Sequence, residues 1–348
     1  MQRESDLPQP PGAGPVKGVH PWRWVILGAV VLGLGIAAIY VPIPIFYAYL
    51  PGPVRDVETL VDVTGIDTYS SEGQLYLTTV SVDIEVTFVD WVTYLVDPNS
   101  VVVMKEQVTG GASFEVLEAR QIEEMKGSKR HAEEVVFARL GIATPTGEGA
   151  RIEATQEGSP ADGKLLEGDV ITSIDGSDVD TTCDVDSVMD TYKPGETVNV
   201  TVERQGEERE IAIEAGASPT DSESGFLGIF MADVGYQFDP GAKVEFETGN
   251  IAGPSAGLMF SLALYDRLTP EDLTSGRAIA GTGEITCGGG VGPIGGIEQK
   301  VAGAEDEGAE VFLAPAANFD AAEAAADEIE VVRISNFAQA VEYLEGSQ

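Results

Sequence analysis

Two short glycine-framed segments of this 348-residue chain hold the residue types from which a hydrolase can be built. Gly253-Pro254-Ser255-Ala256-Gly257 opens a stretch in which Ser255, Leu258, Met259 and Leu262 recur at i, i+3, i+4 and i+7. Downstream, Gly295-Gly296-Ile297-Glu298-Gln299-Lys300 opens a second, in which Ile297, Lys300, Val301 and Ala304 repeat that spacing. Each pattern predicts a helix with a reactive side chain on its buried face. A lysine on an apolar stripe is costly to keep charged and tends to lose its proton, which is the state a general base needs. The pair therefore points to a Ser-Lys dyad.

Other constellations are excluded by order or by absence. The serine turn also fits Gly-x-Ser-x-Gly, the nucleophile elbow of α/β hydrolases, which requires an acid and then a histidine after the serine. The two histidines, His20 and His131, both precede Ser255. Ser-x-x-Lys occurs nowhere, and neither does a phosphate loop ending in Gly-Lys-Ser/Thr, so the chain holds no ATP site of that kind. Beyond residue 216 only Lys243 and Lys300 could serve as a lysine base, and Lys243 begins a strand with no helical apolar context.

The elements that position these residues follow from pattern. From residue 226 onward strands and helices alternate, with strands expected at Val244, Ala278–Ala280, Val311–Leu313 and Val331-Val332, which describes an α/β unit. Before it, residues 57–104 read as strands, best at 75–82 and 101–103, and residues 114–140 as a helix rich in Glu, Ala and Lys. The strands ahead of residue 105 are expected to pack on the α/β unit, which makes the intervening module an insertion. Residues 218–225, rich in Ser, Asp and Gly, read as a linker.

Composition narrows the function. Twenty Lys+Arg against 58 Asp+Glu give a formal charge of −38, a surface that repels nucleic-acid backbone, so no nucleic-acid partner is expected. Cys183 and Cys287 are too few for a disulfide scaffold and lack metal-ligand spacing; whether they pair stays open at this point. Residues 24–54 carry no charge, and the apolar run is close to the roughly 20 residues that a bilayer-spanning helix needs. Trp22 and Trp24 flank one side; Tyr40, Phe46, Tyr47 and Tyr49 flank the other. Lys17 and Arg23 precede the run, whereas Arg55 is accompanied by Asp56, Glu58 and Asp62. The positive-inside rule then leaves a cytoplasmic tail at 1–22, an uncleaved anchor at 23–47, and all that follows extracytoplasmic at the cell membrane.

Residues 137–216 resemble a bacterial PDZ domain. The resemblance is carried by Ser159-Pro160-Ala161, by Leu166-Glu167-Gly168-Asp169-Val170-Ile171, by Ile174-Asp175-Gly176, and by closing strands around Val198-Asn199-Val200-Thr201-Val202. It implies that Leu140, Gly141 and Ile142 supply backbone N–H groups to the C-terminus of a peptide that adds as a strand. Residues 226–346 in turn resemble the Lon-type Ser-Lys protease family, in particular its membrane-anchored, PDZ-containing branch. Four blocks in order carry this: Gly253-Pro254-Ser255-Ala256-Gly257; Gly281-Thr282-Gly283-Glu284-Ile285-Thr286; Val291 through Lys300; and Pro315-Ala316-Ala317-Asn318.

That resemblance implies Ser255 as nucleophile and Lys300 as base, with Thr282 and Thr286 holding the amine. Backbone N–H groups at Ser255 and Ala256, at a helix start, can stabilise the oxyanion. Where ATP-dependent members often carry an acid three residues before the serine, this chain has Ala252. The expected fold is thus a Lon-type α/β protease domain plus a β-rich PDZ-like domain after one transmembrane helix, with residues 54–136 joined to the protease. The expected function is an ATP-independent serine endopeptidase using no cofactor or metal on unfolded or flexible extracytoplasmic polypeptides. Family likeness adds homo-oligomeric rings. The competing reading is a catalytically silent, membrane-tethered PDZ adaptor.

Overall fold

The computed structural model describes residues 21–110, 112–218, 224–249 and 251–346. The expected cytoplasmic tail up to residue 20 and the centre of the expected linker, 219–223, lie outside the described residues.

Helix α1, Pro21–Ala38, carries Arg23 in its first turn and is otherwise uncharged, and Val25, Leu32 and Leu34 are exposed at 72%, 66% and 66%. The expected span over 23–47 does not form as one unit. Pro42 and Pro44 remove backbone donors beyond Ala38, and Phe46 and Tyr47 already belong to strand β1, Phe46–Pro51. Among the described residues no helix is long and apolar enough to cross a membrane. At 1.5 Å per residue α1 reaches ~27 Å, short of a ~30 Å hydrocarbon core.

Next come β2 (Arg55–Asp56), β3 (Val61–Thr64), β4 (Gln74–Leu77), β5 (Val80–Asp83) and β6 (Val101–Met104). The run at 75–82 is therefore two strands, broken at Thr78-Thr79, and the halves enter different sheets: β4 joins the central sheet, while β5 and β6 flank β1 in an antiparallel three-stranded sheet. Helix α2 follows as Phe114–Arg139, capped by the Ser113 hydroxyl, which accepts from Val116 N–H.

An inserted β-module comes between α2 and the second half of the central sheet. Its strands β7 (Ala150–Thr155), β8 (Val170–Ile174), β9 (Thr197–Arg204) and β10 (Glu207–Glu214) enclose a core of Ile152, Ile171, Val198, Val200 and Ile213, over which lies helix α3, Thr182–Met189. One further strand, β11 (Ile229–Asp233), pairs antiparallel with β7 and forms an edge of this sheet. The sequence boundaries at 216 and 226 had assigned this strand to the α/β unit. Its alternation cannot say which distant strand it pairs with, and the structure moves it into the inserted module. Arg204 anchors β9 through a two-pronged bond to Asp169, 2.7 and 2.6 Å, with Asp169 fully buried.

The chain then returns. Strand β12 (Lys243–Phe246) pairs with β3. Helix α4 (Gly257–Leu268), β13 (Ala278–Gly281), the short hairpin β14 (Glu284–Ile285) and β15 (Val291–Gly292), helix α5 (Ile297–Glu307), β16 (Val311–Pro315), β17 (Glu330–Ile334) and helix α6 (Phe337–Gly346) complete it. The central sheet runs β2-β4-β13-β16-β17, and β4, β13, β16 and β17 are parallel. Alternate residues feed its two faces. Leu75, Leu77, Ile279 and Leu313 pack with α2, α4 and α6, while Ala280, Phe312 and Ala314 pack with α5 through Ile297, Val301 and Ala304. The architecture is three-layered, and its first strands come from before the insertion.

Candidate active site

The serine helix and the lysine helix lie on opposite faces of the central sheet. They meet beyond the carboxyl end of β13, the position where open parallel sheets carry their sites. Gly253, at φ 93°, reverses the chain into a 3-10 turn, Pro254–Ala256, that precedes α4. Pro254 starts this turn without needing a donor. The turn is braced from α2, where the Ser128 hydroxyl donates to Pro254 O at 2.9 Å. Gly257 leaves room for that brace, since a Cβ there would stand 2.5 Å from Ser128 Oγ and 2.6 Å from Ile285 Cγ2.

Lys300 is 3% exposed, one turn into α5, and its Nζ lies 2.9 Å from Ser255 Oγ and 2.8 Å from Thr282 Oγ1. Burial lowers its pKa from 10.5 to about 7. The amine is thus neutral in a large fraction of molecules near neutral pH, and its lone pair can accept the Ser255 proton. Thr282, directly after β13, orients the pair: its hydroxyl donates to Ser255 O at 3.0 Å while receiving the Lys300 amine, and Gly283 N–H donates to the same carbonyl at 2.8 Å. The Ser255 hydroxyl, the Lys300 amine and the Thr282 hydroxyl thereby share one bonded cluster. Lys243, the other lysine beyond residue 216, is exposed and ion-paired with Glu245.

Thr286 does not reach the amine. Its hydroxyl accepts Gly290 N–H at 3.1 Å and closes the 286–290 turn, so it shapes the loop that carries the hairpin. Ala256 is buried in the serine turn. Leu140-Gly141-Ile142 is not a peptide cradle either. These three N–H groups donate to Val136 O, Ala138 O and Phe137 O, each at 3.0 Å, and so terminate α2. A second Leu-Gly-Ile, at Leu227-Gly228-Ile229, leads into the edge strand β11 and lines a cavity of about 290 Å³ with Val185, Met189 and Met231. The repetition of that tripeptide was the available sequence signal.

Sequence reasoning also missed the roles of four residues. Asn318 locks the turn ahead of the lysine helix, accepting Ile294 N–H at 2.9 Å and donating to Ile294 O at 3.0 Å. Cys183, on α3, and Cys287, in the 286–290 turn, are joined as a disulfide. His131 on α2 lies beside them, with Nε2 3.3 Å from Cys287 Sγ and Nδ1 3.2 Å from Ile285 O. These three side chains are the His/Cys/Asp/Glu group that could approach a metal together among the described residues. With the sulfurs bonded to each other, the thiolates that would ligate an ion are consumed.

An open cleft of about 790 Å³, lined by Thr79, Val80, Glu247, Ile251, Ala252 and Gly295, leads to Ser255 and Lys300. A cleft of this size takes an extended peptide segment.

Comparison with known proteins accounts for both modules. Residues 243–344 match the Lon protease (S16) C-terminal proteolytic domain, and residues 111–215 match the PDZ domain. The Lon protease of Roseiflexus castenholzii is 46% identical over 66 residues, which cover 19% of this chain and 8% of the relative. The Lon protease of Anaeromyxobacter dehalogenans is 33% identical over 148 residues, 41% of this chain and 17% of the relative. A serine protease Do-like HtrA of Lactobacillus helveticus is 35% identical over 77 residues, 22% of this chain and 19% of the relative. The chain thus spans less than one fifth of the length of each of these relatives. The matches support a serine protease.

Proposed function

We propose that this chain, which carries a Lon-type proteolytic domain and a PDZ domain, is an endopeptidase that cleaves flexible polypeptides by Ser-Lys chemistry without ATP or metal. The reading rests on one observation, the buried Lys300 amine within 2.9 Å of the Ser255 hydroxyl. Neutral Lys300 takes the Ser255 proton as Oγ attacks the substrate carbonyl carbon. The N–H groups of Ser255 and Ala256, at the helix start, face the charge that then develops on the carbonyl oxygen; one such donor is worth roughly a hundred- to a thousandfold in rate. Protonated Lys300 returns its proton to the leaving amine, and an ester to Ser255 remains. A water molecule, deprotonated by the same amine, cleaves that ester.

No Walker-type loop is present in the sequence, so the substrate class proposed is chain segments that are already unfolded, flexible or terminal. We further propose that α1 and the apolar residues after it attach the chain to a membrane, with the folded modules extracytoplasmic. The support is a helix whose large apolar side chains stay exposed on all sides, which is unfavourable in water and favourable in lipid. Homo-oligomeric assembly belongs to the same proposal.

Hydrolysis of an unstructured fluorogenic polypeptide by the intact chain tests the reading. Ser255→Ala and Lys300→Ala should each lose turnover, and a fluorophosphonate or peptide boronate should modify Ser255, as seen by mass spectrometry. Turnover retained in both variants removes the assignment. Tight binding of C-terminal peptides with neither turnover nor labelling supports a silent adaptor instead.

A further inference from the structure

Three elements far apart in the chain bring His131, Cys183 and Cys287 together: α2, α3 and the 286–290 turn. Their ligand atoms all lie within 4.8 Å of one another. The His131 ring is also set for coordination. Ile285 O accepts only, so Nδ1, 3.2 Å away, carries the ring proton. Nε2 then presents its lone pair toward Cys287 Sγ at 3.3 Å. A metal-binding histidine ordinarily donates its other ring N–H to a carbonyl or carboxylate, because that bond fixes the tautomer and the ring orientation. Around the ring, the carboxylates of Glu134 and Asp233 share one guanidinium, that of Arg130, which leaves a net negative surround that favours a cation.

We propose that in the thiol form of the chain these three side chains hold a thiophilic divalent cation, zinc above all, as a structural Cys2His site. Disulfide and metal are then alternative occupants of one clasp between the inserted module and the protease domain. The thiol form is the chain as synthesised, and a dithiol regenerates it: the reductant closes to its own disulfide and passes two electrons and two protons to the two sulfurs. Binding of the cation releases those two protons. The geometry closes with small motions. With Zn–S near 2.3 Å and Zn–N near 2.0–2.1 Å, a tetrahedral ion sets its two sulfurs about 3.8 Å apart and each about 3.6 Å from the nitrogen. The Nε2–Sγ separation of 3.3 Å is already close to that. The two Cα atoms stand 5.2 Å apart, so rotation about the Cα–Cβ bonds separates the sulfurs once their bond is cut. Arg130 Nη2 lies 3.4 Å from Nε2. Its side chain is 45% exposed and turns outward as the cation takes the lone pair. Water completes the tetrahedron, reaching it by the cavity of about 290 Å³ that Cys287 lines. Ligands 104 residues apart converge only when both modules are folded, so the bound ion stabilises the folded chain.

The test uses the full chain, reduced with dithiothreitol and freed of it by gel filtration without oxygen, with cobalt(II) as a coloured stand-in for zinc. The titration is run at high salt, so that the acidic surface competes weakly for the ion. The reduced chain should take up one cobalt per molecule, with a thiolate-to-cobalt charge-transfer band and the intense visible bands of a tetrahedral ion. One equivalent of zinc should abolish both. The oxidised chain and C183S/C287S should show neither, because surface carboxylates give no such charge transfer. His131→Ala, with unchanged circular dichroism, should weaken cobalt binding at least about tenfold. Zinc should also raise the urea midpoint of the reduced chain, leave that of the oxidised chain in place, and protect both cysteines from alkylation as counted by mass spectrometry. Absence of the charge-transfer band in the reduced chain overturns the proposal, as does alkylation of both cysteines at the same rate with and without zinc. Undiminished affinity in folded His131→Ala removes the histidine ligand and with it the proposed Cys2His site. None of these readouts involves hydrolysis, so the metal site stands or falls apart from the protease reading.

Discussion

Lysine at position 300 is an expensive residue for the fold to keep, and that expense gives it a measurable signature. Its burial lowers the amine pKa to about 7, so hydrolysis should rise as pH passes through about 7 and level off above it, read as kcat/KM against pH. The sign for stability follows from proton counts. Between about 7 and the unfolded value near 10.4, the unfolded chain binds a proton that the folded chain does not, so this group makes stability rise with pH across that window. Below the window the penalty is fully present, at about 1.4 kcal/mol for each unit of lowering. Lys300→Met should therefore abolish hydrolysis, raise the urea midpoint at pH 7, and remove this part of the slope between pH 7 and 10. Thr282 makes a second test. Its hydroxyl sits 2.8 Å from the amine and favours the charged form. Thr282→Val should lower kcat about ten- to a hundredfold and move the pH midpoint downward, whereas Thr282→Ser should restore both. Lys300 was legible in the sequence because a lysine on an apolar helical stripe has few structural uses, whereas Ser255 was legible from its Gly-Pro-Ser-Ala-Gly frame and lies half-buried in the 3-10 turn ahead of α4 rather than on the expected helical stripe. Thr282 and Thr286 were not separable there. Both are threonines in one glycine-rich segment, and only the turn back at Gly290, whose N–H the Thr286 hydroxyl receives, takes the second away from the amine.

Among the elements, α3 and the hairpin turn beside it show what one covalent bond does between modules. Cys183 and Cys287 are 104 residues apart, and closing a loop of that length restricts the unfolded chain by about 4–5 kcal/mol in the chain-entropy account. C183S/C287S should lose on that order of unfolding free energy in urea titration, and reduction of the wild-type chain should do the same reversibly. The Arg204–Asp169 pair makes a local prediction. Asp169 is buried, which raises its pKa, but the Arg204 hydrogen bonds, the Leu166 N–H and the nearby positive charge outweigh burial and hold it below the usual range. Arg204→Met leaves that carboxylate uncompensated and should destabilise the PDZ module by about 3–5 kcal/mol, seen as an earlier transition in denaturant. The helix over 114–139 was readable from its periodicity and its Glu/Ala/Lys content to within a residue. Strand partners were not. Leu75 through Val82 has one unbroken β pattern, yet Thr78-Thr79 divides it between two sheets, and β11 looks like any short strand until β7 claims it. Alternation reports the faces of a strand and says nothing about its neighbour.

At the scale of the whole molecule, charge and chain order govern behaviour. With a formal charge of −38, the compact state repels itself, and added salt relieves this. The thermal midpoint should rise by a few degrees between roughly 0.05 and 0.5 M sodium chloride, beyond the change seen for a near-neutral PDZ domain measured alongside. Chain order has a consequence for biosynthesis. Leu77 of β4 lies against Gly281 of β13, and Pro315 of β16 against Ile334 of β17, so the central sheet draws on both sides of the insertion. A chain emerging from its amino end can complete the PDZ module while β4 still waits for its neighbour, because local contacts close before distant ones. The hydroxyl at 255 and the amine at 300 cannot come into register until that neighbour arrives. On the protease reading, a nascent copy stays without hydrolytic competence until the strands that follow the insertion have emerged and docked against β4.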